Sequence, residues 1–192
     1  MILSAATLLF AACKRDGKTV YEAREATELA SGVRHDSIFL GMFLGMNRDS
    51  FYNRCFELNK QKLIREGAGN ASVLYKLDTP TMRLSADMSF YPNLYDLKVW
   101  QMPVIFKYES WAPWVRAAQP DSLQLDVLRL MEGWYGTGFI KVKEEKRGLV
   151  FKKIDGNRRV EIWQQPEMFV KALITDVKME KTLRDKGELP VN

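Results

Sequence analysis

Residues 73–78, VLYKLD, are matched without gaps by residues 150–155, VFKKID, later in the chain. Both stretches are rich in apolar side chains and end in Asp, which predicts a strand that runs into a turn. The same offset places Phe51 on Leu128, in the segments that precede the two stretches. Because the match extends beyond the strands, it predicts that the chain is built from two similar units.

A helical pattern precedes the strands of the first half. Asn47 suits the N-cap position of a helix, and Phe51, Cys55 and Leu58 follow at the spacing of one helix face. On that face Cys55 is expected to be a small buried side chain rather than a reactive thiol. Strands are then predicted at residues 72–77, 82–90, 95–102 and 104–109.

The second half repeats this order. Asp121 and Gln124 have the spacing of a capping box, which predicts a helix that starts near residue 120. Its apolar stripe includes Val127 and Trp134, and we expect both side chains to be largely buried. Strands are predicted at residues 139–143, 149–154, 159–163 and 168–177.

These patterns predict an α+β fold of two tandem modules, each with a helical segment packed on its own small antiparallel sheet. The dipeptide formed by Asp155 and Gly156 predicts a hairpin in the second module. The predicted division is a signal peptide at 1–12, a polar tether at 13–36, a first module at 37–119, a second module at 120–181 and a tail at 182–192.

The N-terminal sequence MILSAATLLFAAC, residues 1–13, is a short apolar run that ends in two small residues and Cys13. This is the pattern of an export signal, and the end of the run resembles the lipobox of bacterial lipoproteins. That resemblance implies acylation of Cys13 and a membrane-anchored location in the cell envelope, facing the periplasm or the cell surface. The alternative is a buried first strand or helix, since the run is too short to span a bilayer.

Residues 45–51, GMNRDSF, resemble the helix entry of the small outer-membrane-assembly lipoproteins. A tandem pair of such modules is similar to the β-lactamase-inhibitor-protein fold, and residues 38–63 resemble uncharacterised lipoproteins of Bacteroidetes. These families are non-enzymatic, so the resemblance implies a binding protein.

Catalysis needs polar groups of tuned proton affinity gathered in one place, and the sequence carries no motif of this kind. The single histidine, His35, falls in the predicted tether, where an exposed linker residue is expected. We therefore expect no enzyme activity, no metal site and no cofactor.

Basic residues are concentrated at 139–159, a segment whose excess equals the net charge of +5 of the whole chain. Lys141, Lys143, Lys152 and Arg159 are the candidate residues for binding an anionic surface, which requires that Lys141, Lys143, Arg159 and one of Lys152 or Lys153 converge on one face. The alternative is a solvated strand face whose lysines block aggregation at a sheet edge.

A second candidate binding element is the loop that carries Trp111 and Trp114, because Pro113 stiffens it and tryptophan offers a large contact area. The alternative is that both rings fold over the sheet edge or over the joint between the two modules.

Together these features predict a lipid-anchored envelope protein that binds another protein or an anionic envelope polymer. A hydrolase with a carboxylate site in a groove between the modules is the alternative. A nucleic-acid binder that uses residues 139–159 is a second alternative; export argues against it, and no nucleic acid is expected as a partner.

Overall fold

The computed structural model describes residues 16–67, 72–110, 112–166 and 168–189. The predicted signal peptide at 1–12, Cys13 and Trp111 lie outside the described residues. Four α-helices and nine β-strands are described, with one short 3-10 helix at Arg116–Ala118. The helices are α1 Gly17–Ala30, α2 Arg48–Lys60, α3 Pro120–Tyr135 and α4 Val177–Asp185. The strands are β1 Ile64–Glu66, β2 Val73–Leu77, β3 Ala86–Phe90, β4 Asn93–Tyr95, β5 Lys98–Tyr108, β6 Ile140–Glu144, β7 Gly148–Asp155, β8 Arg158–Gln164 and β9 Val170–Asp176.

All nine strands form one antiparallel sheet in the order β1-β2-β3-β5-β9-β8-β7-β6, with β4 paired to β5. The α+β class is therefore confirmed. In each half a helix precedes a series of antiparallel strands. The prediction of two separate sheets is wrong, because β5 and β9, the last strands of the two series, pair from Gln101 with Thr175 to Phe106 with Val170.

Two local predictions are confirmed. Asn47 caps α2, its side chain accepting a 2.7 Å hydrogen bond from the Ser50 backbone N–H. The turn after Asp155 joins β7 to β8, and Gly156 adopts a φ of 54°, a conformation that favours glycine over other residues.

The predicted capping box is wrong, because Gln119 is the N-cap of α3. The Asp121 carboxylate instead pairs with Arg116, and the Gln124 amide reaches the strands below the helix.

One face of the sheet, which we call the front face, is covered by α2 and α3. Its core contains Phe51 of α2, Val127 and Met131 of α3, and the strand residues Phe106 and Ile162, all of them almost fully buried. This core is continuous across both halves, so the two halves do not bury separate cores. Trp134 does not join the buried set: it is 36% exposed, and its ring rests on Phe39, which corrects the prediction of burial.

The opposite, rear face carries α1 over β6 and β7. Tyr21 of α1 is only 5% exposed and packs with Val142 and Ile154 of those strands. The predicted polar tether at 13–36 is therefore wrong for residues 17–30, which form a docked helix. Tyr21 is the only buried residue of α1, so the sequence of this helix has no repeated apolar positions that would predict its docking.

The predicted tail also contains ordered structure. Helix α4 runs through Asp185, its Leu183 side chain is 1% exposed, and Asp176 caps its first turn by accepting hydrogen bonds from the Lys178 and Met179 backbone N–H groups. Within the described residues no helix is long and apolar enough to cross a membrane.

Candidate binding surface

Helix α1 covers the rear face over β6 and β7, and the rear face is open over β2, β3, β5 and the start of β9. Leu74 of β2, Ser89 of β3, Ile105 of β5 and Lys171 of β9 lie side by side in register across four strands. Leu74, Ser89 and Lys171 are half-buried, and Ile105 is 39% exposed. Neighbouring strand residues therefore cover these side chains in part, and their outer surfaces stay accessible. We call this region, together with Pro103, Lys107 and Leu173, the open rear face.

Lysines border the apolar middle of the open rear face. Lys107 follows Ile105 on the same side of β5, and Lys171 lies beside it on β9. Among the described residues no carboxylate lies within 4 Å of either ammonium, whereas Lys76 of β2 is paired with Glu109 at 3.0 Å. The surface thus joins an apolar floor to two lysines that have no close ion pair, although Asp87 of β3, which pairs with Arg65 at 3.6 Å, is the strand neighbour of Lys107.

Next to this surface, under α1, the rear face carries a buried ion network centred on Glu161 of β8. Arg147, Lys152 and Arg159 each lie 2.9–3.2 Å from its carboxylate oxygens. Burial alone would raise the pKa of Glu161, but these three cations outweigh it and lower the pKa to about 2. Glu161 is therefore held as a carboxylate at neutral pH, which makes it unsuitable as a general acid.

Arg159 connects this network to two helices. Its guanidinium lies 2.7 Å from the Glu180 carboxylate of α4 and 3.7 Å from the Glu25 carboxylate of α1. The Tyr21 hydroxyl donates a 3.0 Å hydrogen bond to Glu25, and burial together with the Glu25 charge raises the pKa of Tyr21 well above its ordinary value. The network therefore fixes α1 and α4 on the sheet.

The predicted convergence of four basic residues is wrong. Lys152 and Arg159 do meet, on the rear face, but carboxylates occupy both. Lys141 and Lys143 point to the front side of β6, because Lys141 pairs with the core residue Phe151. The alternation of side chains along each strand separates the two pairs.

Trp114 is 85% exposed, so it does not fold over the sheet edge. Its loop is nevertheless held in place, since the Gln119 side-chain amide donates to the backbone carbonyls of Pro113 and Val115 at 3.0 and 3.4 Å. The loop leaves the end of β5 that carries Lys107. A large apolar side chain is thus presented on a fixed turn, as at many interface anchors.

A concave region with a volume of about 360 Å³ lies between α2 and the strands β1 and β2. It is mainly apolar and includes Cys55 and a pair of tyrosines, Tyr52 and Tyr91, whose hydroxyls are 2.8 Å apart. Burial raises the pKa of the Cys55 thiol to about 11, so the thiolate that a nucleophile requires is scarce at neutral pH.

The remaining candidates for chemistry are isolated. His35 is exposed and contributes its backbone N–H to Asn157. Asp155 is engaged by Lys153 and Arg158. Among the described residues no group of three or more His, Cys, Asp or Glu side chains is placed to hold a metal ion.

No protein-family model, curated protein or solved structure matches this chain. The assignment of function therefore rests on the geometry and the sequence.

Sequence reasoning missed the open rear face. Ile105 and Lys107, like Lys171 and Leu173, occupy alternate strand positions opposite the core residues, so the period-two pattern held the signal. It did not show which part of the sheet the helices would leave uncovered.

Proposed function

We propose that this chain is a non-catalytic binding protein of the cell envelope, anchored through a lipid on Cys13, and that its open rear face docks an acidic protein surface. The anchor is supported by the apolar run and small residues before Cys13. The docking surface is supported by the structure of the sheet.

The observation that carries the proposal is the position of Ile105 beside Lys107 and Lys171, on the part of the rear face that no described helix covers. Burying Ile105, Pro103 and Leu173 would supply apolar contact. The two lysines would favour a partner with carboxylates at matching positions and would speed its approach.

The experiment places a photo-crosslinking amino acid at Ile105 in cells of the native host. The matched control places it at Val20 of α1, which has the same 39% exposure but lies outside the open rear face. We expect crosslinking to one acidic protein from position 105 and not from position 20. The double substitution Lys107→Glu and Lys171→Glu should abolish it. Equal crosslinking at both positions, or crosslinking that persists after charge reversal, would refute the docking surface.

The anchor is tested separately with Cys13→Ala. The variant should lose incorporation of labelled palmitate and leave the membrane fraction. Retention of the label would refute acylation at Cys13.

A further inference from the structure

The edge strand β6 lies beside the point where the described chain begins. Gly17, the first residue of α1, packs so closely on β6 that a Cβ at this position would fall 1.9 Å from the Lys141 carbonyl oxygen. Three peptide units join Cys13 to Asp16, and they span at most about 11 Å. An acyl group on Cys13 would therefore hold the β6 edge close to the membrane surface.

Lysines lie along that edge. Lys141, Lys143 and Lys146, in β6 and the turn after it, are all exposed. Lys18 extends from the first turn of α1, with 70% of its side chain exposed. Because β6 pairs only with β7, these side chains border the outer end of the described sheet.

The nearby carboxylates cancel only part of this charge. Glu144 is occupied by Arg147 and Lys152, both at 2.6 Å. Glu22 pairs with Lys18 at 4.0 Å, and Asp16 lies at the same end of α1, so Lys18 is partly neutralised. Among the described carboxylates of the β6–β7 hairpin, Glu145 alone is left to oppose Lys141, Lys143 and Lys146, so the edge stays positive.

We propose that the β6 edge rests on anionic lipid headgroups of the membrane that holds Cys13, with Lys18, Lys141, Lys143 and Lys146 at the headgroup phosphates. The inference rests on the lipid anchor of the proposed function. A surface potential acts within about one Debye length, roughly 8–10 Å, which matches the reach of the anchor.

This placement also orients the molecule. The sheet order puts β1 seven strand spacings from β6, about 33 Å away. The open rear face, on β2, β3, β5 and β9, then stands clear of the membrane and remains accessible to a partner.

The test uses the full, acylated protein reconstituted on vesicles of phosphatidylcholine alone and of phosphatidylcholine mixed with phosphatidylglycerol. A membrane-impermeant amine reagent labels the lysines, and mass spectrometry of peptides gives the labelling rate at each position. We expect the rates at Lys18, Lys141, Lys143 and Lys146 to fall roughly threefold or more on the anionic vesicles at low salt, and to recover at high salt. Lys60 and Lys62, near β1, should keep the same rate on both vesicles.

A charge-reversal variant separates recognition from proximity. In K141E/K143E/K146E the protection of Lys18 should be lost, whereas the control K60E/K62E/K181E, with the same change in charge, should retain it. Protection that is equal on neutral and anionic vesicles, or absent on both in a protein shown by mass to be acylated, would overturn the headgroup contact and leave the anchor standing. Absence of the acyl group would instead refute the proposed function.

Discussion

Arg159 and Glu161 point to the same rear side of β8, with Arg159 Nε 3.2 Å from Glu161 Oε2. Since Arg147 and Lys152 also contact Glu161, three cations share one buried carboxylate, and their further partners include Glu144 and Glu180. We expect Glu161→Gln to lower the free energy of unfolding by roughly 3–5 kcal/mol, because the cations would keep their burial and lose the one carboxylate that all three share. Urea denaturation measures this loss, and Glu22→Gln, at an exposed site on α1, is the control. A loss below about 1 kcal/mol would show that the network adds little stability.

The lowered pKa of Glu161 predicts that the free energy of unfolding depends on pH. Its folded-state pKa of about 2 lies below its ordinary value of 4.5. Its contribution is therefore complete above about pH 5 and is lost as the pH falls toward 2. The difference in pKa corresponds to roughly 3 kcal/mol. Urea titrations at several pH values should show this decline in the wild type and a shallower decline in Glu161→Gln. Parallel curves for the two proteins would contradict the assignment.

A second buried carboxylate, Asp126 of α3, joins three elements. It accepts hydrogen bonds from the Tyr108 hydroxyl at 2.6 Å and from the Arg83 backbone N–H at 2.7 Å, and it also contacts the Arg129 guanidinium. Asp126→Asn should cost roughly 3–5 kcal/mol and Tyr108→Phe about 1–3 kcal/mol. Because the two side chains share one bond, the double variant should lose less than the sum of the two single losses. Strict additivity would contradict direct coupling.

Two alanine variants of α3 distinguish the buried face of the helix from its border by how much free energy of unfolding each one loses. Met131 is fully buried, so Met131→Ala should cost about 2–5 kcal/mol. Trp134 is 36% exposed, so Trp134→Ala should lower the free energy of unfolding by only about 1 kcal/mol, although its side chain is larger. Equilibrium unfolding of the two variants gives the order. A larger loss of stability in Trp134→Ala than in Met131→Ala would contradict the exposed position of Trp134 and support the burial expected from the helical periodicity.

Local features were predictable wherever a short-range rule decided them. The cap at Asn47 and the turn at Gly156 depend on side-chain chemistry and backbone preference within a few residues. The burial predicted along the apolar stripe of α3 was wrong only at Trp134, near the end of the helix. There the ring rests on Phe39, in a segment whose path the periodicity does not specify.

Long-range features were not predictable in the same way. Two series of strands can form separate sheets or one, and the pairing of β5 with β9 depends on packing between halves that are distant in sequence. Helix α1 shows the same limit, since it docks through Tyr21 and through ion pairs such as Arg159 with Glu25. A polar helix of this kind lacks the apolar stripe that would predict its packing on the sheet.

The exposed ring of Trp114 connects the structure to the proposed partner. Trp114→Ala should change the free energy of unfolding by less than about 0.5 kcal/mol, because the ring is 85% exposed and buries little surface in the isolated protein. If Trp114 anchors the partner at the end of β5, the same change should weaken the complex by about 2 kcal/mol or more, roughly 30-fold in dissociation constant.

The measurement is binding of the partner identified by crosslinking at Ile105, by calorimetry with purified proteins. Trp134→Ala is the matched control, since it also removes an indole ring but lies on α3. It should lower stability and leave the dissociation constant unchanged. Unchanged affinity in Trp114→Ala would confine the interface to the sheet, whereas a loss of stability above about 1 kcal/mol would mean that the ring supports its own loop.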